Sequence, residues 1–192
     1  MSTNKDKLLL HVCCGPCAVY PTKFLQEQKI QFDGFFHNPN IHPASEYSKR
    51  LENAKKLADI RDFNLIVDEE YFEDLWLEYV DVPTRCKKCY TIRFEKAFKY
   101  ASNNQYKGVT TSLLVSPYQQ HELIIKIANS FSKQYNIPFV YYDFRPHFRE
   151  GQAEAKELGL YRQKYCGCLS SFEDKLTFDI NKELRKEEKA NG

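Results

Sequence analysis

The sequence predicts an α/β fold, in which a Rossmann-like parallel sheet of about five strands is covered by helices on both faces. Short apolar runs bounded by turn-forming residues alternate with longer segments in which apolar residues recur every three or four positions. The first pattern is typical of buried strands and the second of amphipathic helices. Regular alternation of the two along one chain favours parallel strands joined by helical crossovers.

Five apolar runs are predicted as the strands. They cover residues 7–12, 31–37, 64–67, 108–111 and 139–142. Asn38-Pro39-Asn40 ends the second run and Pro138 introduces the last, as expected of residues that interrupt regular structure. Since open α/β sheets bind ligands beyond the carboxyl ends of their strands, we expect a site just after residue 12.

Segments of helical periodicity are predicted as the helices that cover the sheet. They lie at about residues 18–28, 43–58, 72–79, 87–101 and 123–131. The second begins at Pro43, whose fixed φ suits a first helical turn. A break is predicted at 83–85, and residues 145–149 are predicted to lie in a loop.

A single domain is predicted, because 192 residues suffice to bury a core of their own. Residues 1–178 are expected to form one α/β domain, and the charged residues 179–192 are expected to fray. The apolar run at 8–10 is too short for a signal-peptide core or a membrane span. We therefore expect a soluble, cytoplasmic protein with no membrane partner.

The seven cysteines fall in three short motifs: Cys13-Cys14-Gly15-Pro16-Cys17, Cys86-Lys87-Lys88-Cys89 and Cys166-Gly167-Cys168. An odd number cannot pair completely, and cytosolic thiols stay reduced, so the motifs point to metal binding or redox chemistry. Cysteines three residues apart direct their sulfurs towards a common point, and a helix N-terminus lowers thiol pKa values. This favours Cys14 with Cys17, and Cys86 with Cys89, as metal ligands.

The number of cysteines exceeds what one closed metal site needs. Soft thiolates select zinc, copper(I) or iron–sulfur clusters, and a structural zinc or a 4Fe-4S cluster takes four of them. Three then remain for a second metal or a redox pair. Two alternatives stay open: a thiol–disulfide oxidoreductase using Cys14 and Cys17, whose motif is that of thioredoxins, and a zinc-binding RNA-binding module.

The chain resembles the cobalamin-independent epoxyqueuosine reductases of the QueH type from about residue 8 to residue 171. The matching stretches are Leu10-His11-Val12-Cys13-Cys14-Gly15-Pro16-Cys17, Asn38-Pro39-Asn40-Ile41-His42-Pro43, Glu46-Tyr47 with Arg50, Arg85-Cys86 to Cys89 with Arg93, Thr111-Ser112-Leu113-Leu114, Ser116-Pro117-Tyr118, Gly151-Gln152, Leu160-Tyr161-Arg162-Gln163 and Tyr165-Cys166-Gly167-Cys168. The resemblance implies a HUP-like α/β metalloenzyme with a 4Fe-4S cluster. It also implies the final step of queuosine biosynthesis, the reduction of epoxyqueuosine to queuosine at the anticodon wobble position of tRNA.

All seven cysteines are then candidate metal ligands. Cys13, Cys86 and Cys89 are assigned to the cluster, and the fourth ligand is Cys14 or a cysteine of the third motif. An iron centre beside an electron-storing cluster suits the opening of an epoxide, which needs two electrons and an acid at the departing oxygen.

The candidate catalytic thiols are Cys17, Cys166 and Cys168. They either hold a second, mononuclear iron or cycle as a dithiol, and a Cys166–Cys168 disulfide would close a small, easily reduced ring. The implied partners are tRNA carrying epoxyqueuosine and an electron donor such as ferredoxin or flavodoxin.

The net charge of +2 excludes a polycationic protein, so any RNA-binding surface must be a local patch. Arg145, His147, Arg149 and Arg162 are the candidates for contacting an anticodon stem-loop. Cations that border the cysteine motifs are candidates for the same patch: Arg85, Lys87, Lys88, Arg93 and Lys164.

Overall fold

In a computed structural model of the chain, which describes residues 4–71, 76 and 82–190, four strands form one parallel sheet. The strands are β1 (Leu8–His11), β2 (Phe32–Phe36), β3 (Leu65–Val67) and β4 (Gly108–Thr111). Their order across the sheet is β3-β2-β1-β4, so the fully buried β1 pairs with β2 on one side and β4 on the other. The predicted α/β class with a parallel sheet is confirmed.

The sheet has four strands rather than the predicted five. Residues 138–140 run beside β4, but their pairing is limited to hydrogen bonds with Val109 and an isolated bridge at Phe139. Beyond Val109, β4 continues to Thr111 and the chain then enters a 3-10 helix at Ser112–Val115. Residues 139–142 are only partly buried beside the sheet edge, with Tyr141 41% exposed, so their apolar composition does not mark a strand.

The described part of the chain contains six α-helices. They are α1 (Gly15–Glu27), α2 (Ala44–Arg61), α3 (Val82–Asn103), α4 (His121–Tyr135), α5 (Phe148–Glu157) and α6 (Leu169–Ala190). Leu9 and Val109 belong to the core beneath α3 and α4, while Leu8 and Leu10 belong to the core beneath α1 and α2. Alternate residues of the strands therefore lie on opposite faces of the sheet, and helices cover both faces, as predicted.

Helix α3 begins at Val82, five residues before the predicted start, so the predicted break at 83–85 is wrong. Pro83 is tolerated because the N–H groups of a first helical turn have no intrahelical partner. The helix predicted over residues 72–79 lies outside the described residues except for Trp76, which is buried.

The region after residue 143 is more regular than predicted. Arg145–His147 forms a 3-10 helix that leads into α5, so the loop predicted at 145–149 is wrong. Helix α6 is continuous through residue 179, where a tail was predicted to begin. Among the described residues, every helix is either too short or too polar to cross a membrane.

Candidate functional site

The first cysteine motif lies at the carboxyl end of β1. Cys14 directly precedes α1 and Cys17 lies in the first turn of that helix. The backbone N–H of Cys13 donates to Ser112 Oγ, 3.0 Å away and just beyond the neighbouring strand β4. The three sulfur atoms are buried and lie within 4.8 Å of one another. The sheet edge at which a ligand is expected thus carries three clustered thiols.

Helix α1 can begin this close to α2 because residue 15 is a glycine. A Cβ at Gly15 would lie 2.6 Å from the carbonyl oxygen of Asn53 in α2. A larger residue would push the two helices apart and move Cys14 and Cys17 with α1.

The second cysteine motif lies on α3. Cys86 and Cys89 are three residues apart, so they share one face of the helix, where both are half-buried. Because α3 begins at Val82, they lie in its second turn rather than at its N-terminus. Burial raises the pKa of Cys86 and raises the pKa of Cys89 to about 11. The pKa lowering expected for this pair from a helix N-terminus is therefore wrong.

The third cysteine motif directly precedes α6 and is attached to α2 by Arg50. The guanidinium donates to the carbonyl oxygens of Tyr165, at 3.0 Å, and Cys166, at 2.8 Å. Its Nε donates to Glu46 Oε1, also at 2.8 Å. Gly167 packs against this guanidinium with a φ of 118°, and a Cβ there would lie 2.7 Å from Arg50 Nη1. Only a glycine satisfies both the backbone conformation and the contact.

The three motifs meet in one open cavity of about 380 Å³. Six of the seven cysteines line it: Cys13, Cys17, Cys86, Cys89, Cys166 and Cys168. Cys14 is completely buried, with its sulfur 3.8 Å from that of Cys13. Cysteines that are far apart in the sequence are therefore parts of one site.

Side-chain amides donate hydrogen bonds to four of the sulfur atoms. The pairs are Gln163 Nε2 with Cys14 (3.0 Å) and Cys17 (3.3 Å), Asn40 Nδ2 with Cys89 (3.2 Å), and Gln119 Nε2 with Cys166 (3.5 Å). Donors to sulfur favour thiolate and tune metal centres. Sequence patterns predict none of these amides as site residues, although Asn40 and Gln163 lie in the motifs of the resemblance.

The three thiols of the first motif differ in acidity. Hydrogen bonds from the Cys14 and Cys17 thiols lower the pKa of Cys13 well below its ordinary value, and the charge of Arg93 adds to this effect. The pKa of Cys14 is raised by burial, and that of Cys17 by its hydrogen bond to Cys13. Cys13 is therefore the most acidic of the three thiols of this motif.

The two thiols of the third motif also differ in acidity. A hydrogen bond from the Cys166 thiol lowers the pKa of Cys168 to about 5, and Ser171, whose Oγ lies 3.2 Å from Cys168 Sγ, adds to the lowering. The same interaction raises the pKa of Cys166. At neutral pH, Cys168 is a thiolate beside a protonated Cys166.

Three arginines line the cavity and offset the thiolate charge: Arg50, Arg85 and Arg93. Arg93 is only 4% exposed and donates from Nε to Asn40 Oδ1 at 2.9 Å, so its predicted place in a surface RNA-binding patch is wrong. It faces the cysteines instead, and Asn40 connects it to Cys89.

The four residues assigned to an RNA-binding patch lie on and next to α5. Arg145 is exposed and paired with Asp143 at 2.6 Å, and Arg149 is exposed in the first turn of α5. His147 stacks on Tyr20 with ring centroids 4.2 Å apart. Arg162 donates to Gln152, a residue that lines the cavity, at 3.3 Å.

The donor set fits an iron–sulfur cluster. Clusters are held by cysteine thiolates, and their charge is balanced by hydrogen bonds to sulfur and by nearby cations. The cavity supplies six thiols, amide donors to Cys17, Cys89 and Cys166, and three arginines. A 4Fe-4S cluster needs four thiolates, and six cysteines line this cavity.

Comparisons with known proteins point to one family. The sequence model described as "Epoxyqueuosine reductase QueH" matches residues 8–174. The epoxyqueuosine reductase QueH of Dehalococcoides mccartyi is 36% identical over 167 residues, which is 86% of this chain and 92% of the relative. That of Thermotoga maritima is 34% identical over 85% of this chain and 89% of the relative.

Likeness to solved structures is weaker. The U34-tRNA thiolase NcsA of Methanococcus maripaludis, solved with its 4Fe-4S cluster, has a TM-score of 0.48 and 16% identity, over 96% of this chain and 67% of the thiolase. The family is therefore assigned from sequence. Because the family model spans most of the chain, the chain belongs to the epoxyqueuosine reductase QueH family and is an oxidoreductase.

Proposed function

We propose that this protein reduces epoxyqueuosine to queuosine at the wobble position of tRNA, the final step of queuosine biosynthesis. The observation that carries the proposal is the meeting of three cysteine motifs in one solvent-accessible cavity, in a chain of the QueH family. The cavity volume of about 380 Å³ lies in the range of about 300–1,000 Å³ that is usual for small-molecule sites. It can therefore admit a modified base rather than a whole stem-loop.

The proposed cofactor is a 4Fe-4S cluster held by Cys13, Cys86 and Cys89. The fourth ligand is Cys14 or a cysteine of the third motif. When bound, the cluster would supply electrons, and a second iron with an open position beside it would supply a Lewis acid.

The remaining thiols are proposed to act on the substrate. Conversion of the epoxide to an alkene consumes two electrons and two protons and releases water. Cys17 and Cys166 have raised pKa values, so each keeps a proton at neutral pH that it can donate at the departing oxygen. Cys168 either joins Cys166 in a dithiol or holds a mononuclear iron, and the iron content of the loaded protein separates the two.

The proposed partners are tRNA and a small electron-transfer protein such as ferredoxin or flavodoxin. Arg145, His147, Arg149 and Arg162 are proposed to contact the RNA phosphates. We propose the cytoplasm as the location, since the tRNA pool is modified there.

The thioredoxin-like alternative is not favoured by the geometry. A reactive dithiol needs an accessible thiol of lowered pKa. Cys14 is completely buried and burial raises its pKa, and Cys17 is also buried with a raised pKa. A zinc-binding RNA-binding module would need four thiolates, whereas six line the cavity.

The proposal is tested by nucleoside analysis of tRNA. Anaerobically reconstituted protein and a reductant are incubated with tRNA that contains epoxyqueuosine. We expect epoxyqueuosine to be replaced by an equal amount of queuosine. An unchanged nucleoside ratio with fully iron-loaded protein would reject the proposal.

A further inference from the structure

Tyr118 is a large aromatic side chain at the mouth of the cysteine cavity. It is 84% exposed, the highest value for a large apolar side chain in the described part of the chain, yet it also lines the cavity. Exposing a tyrosine ring to this extent forgoes the burial that would stabilise the fold. Its position at the opening suggests a contact that forms only when substrate enters.

The backbone around Tyr118 is tied to the site. The Tyr118 N–H donates to Ser116 Oγ at 3.3 Å, and the N–H of Gln119 donates to the Ser116 carbonyl at 3.3 Å. The Gln119 side chain accepts a hydrogen bond from Tyr90 at 2.7 Å and donates to Cys166 Sγ at 3.5 Å. The ring therefore projects from a turn whose next residue contacts the third cysteine motif.

One neighbouring ring supports Tyr118 without covering it. Phe148 meets it at an interplanar angle of 84°, with centroids 5.9 Å apart, and also lines the cavity. Edge contacts of this kind orient a ring and leave much of its surface free. Two cations, Arg85 and Lys164, also line the cavity, and side chains of this type contact phosphate groups.

We propose that Tyr118 stacks on a nucleobase of the anticodon loop next to the wobble nucleotide while the modified base occupies the cavity. This inference rests on the proposed function. Chemistry on a base inside a cavity requires that the base leave its stack, and this exposes the face of a neighbouring base. Proteins cover such faces with aromatic rings, and stacking accepts any base because every base has a π-face.

The test measures binding of an anticodon stem-loop RNA to the iron-loaded protein at several salt concentrations. Tyr118→Ala is expected to weaken binding by about 5- to 150-fold, while Tyr118→Phe keeps wild-type affinity because it keeps the ring. The dependence of affinity on salt should be the same in all three proteins, since stacking releases no counterions. Phe178→Ala, which removes an exposed ring of α6 outside the cavity, is the matched control and should not change binding.

A fluorescent base analogue placed at each nucleotide flanking the wobble position gives the second readout. Wild-type protein and Tyr118→Phe should quench one of these positions, and Tyr118→Ala should not. Wild-type reduction of epoxyqueuosine with equal RNA binding and quenching in Tyr118→Ala would overturn this inference and leave the proposed function standing. Slower reduction by a protein electron donor in Tyr118→Ala, with RNA binding intact, would also overturn it, because the ring would then serve the donor. Failure of the wild-type protein to bind or modify the RNA would overturn both proposals.

Discussion

Removing Arg50 should both destabilise the protein and release the third cysteine motif. The side chain is 3% exposed and donates three hydrogen bonds, to Glu46, to the Tyr165 carbonyl and to the Cys166 carbonyl. Arg50→Met keeps a side chain of similar reach but removes the charge and all three donors. The Glu46 carboxylate, itself 5% exposed, would keep only the hydroxyl of Tyr161 as a described donor, at 2.7 Å.

The expected loss follows from leaving a buried carboxylate without its cation. Breaking a buried ion pair in this way costs about 3–5 kcal/mol. For a chain of this size, each kcal/mol of lost stability lowers the midpoint temperature of thermal unfolding by roughly 2–4 °C, so the midpoint of Arg50→Met should fall by roughly 6–20 °C. Adding Glu46→Gln removes the stranded charge, so the double variant should recover part of the lost stability.

The assay is chemical denaturation of wild-type and variant proteins at matched iron content under anaerobic, reducing conditions. Lys23→Met is the matched control, because Lys23 and Glu150 form an ion pair of the same 2.8 Å length at the exposed surface. We expect the free energy of unfolding of this control variant to be close to that of the wild-type protein. If Arg50→Met lowers the free energy of unfolding by less than about 1 kcal/mol, or if the double variant is no more stable than Arg50→Met, the buried ion pair does not stabilise the protein as inferred.

Two further predictions concern charge. In metal-free, reduced protein, the rate of alkylation of Cys168 should rise with pH with a midpoint near pH 5, because its lowered pKa leaves a thiolate above that pH. Cys166 has a raised pKa and should react only at a pH above the ordinary pKa of a thiol. A midpoint shared by the two cysteines would contradict this. Arg149→Gln should reduce the slope of log affinity against log salt concentration for RNA binding by about one unit. Arg145→Gln should reduce it by less, because Asp143 already pairs with Arg145. Equal effects of the two variants in a binding titration would count against this difference.

The sheet and the place of the site could be predicted because both depend on local pattern. Apolar runs bounded by turn residues locate the four strands, and β4 coincides with the predicted residues 108–111. The carboxyl edge of a parallel sheet then gives the position of Cys13, Cys14 and Cys17. The grouping of the other two motifs with them could be inferred only from the chemistry of thiolates and from the resemblance.

The remaining features depend on contacts that a local pattern does not contain. Arg50 reaches Cys166 across 116 positions of sequence, and Asn40 reaches Cys89 across 49. Single arginine and asparagine side chains have no spacing that marks them as site residues. Residues 139–142 have the composition of a strand, but among the described residues their bridge to β4 is a single one, between Phe139 and Val109.

The central proposal is that cysteines from separate motifs, Cys13 of the first with Cys86 and Cys89 of the second, hold one iron–sulfur cluster, and metal analysis tests it most directly. Anaerobically purified wild-type protein should contain about four or more irons per chain with a matching amount of sulfide. Cys86→Ala, which changes only the α3 motif, should lose cluster incorporation. Zinc in place of iron in the wild-type protein, or full iron and sulfide content in Cys86→Ala, would contradict the claim.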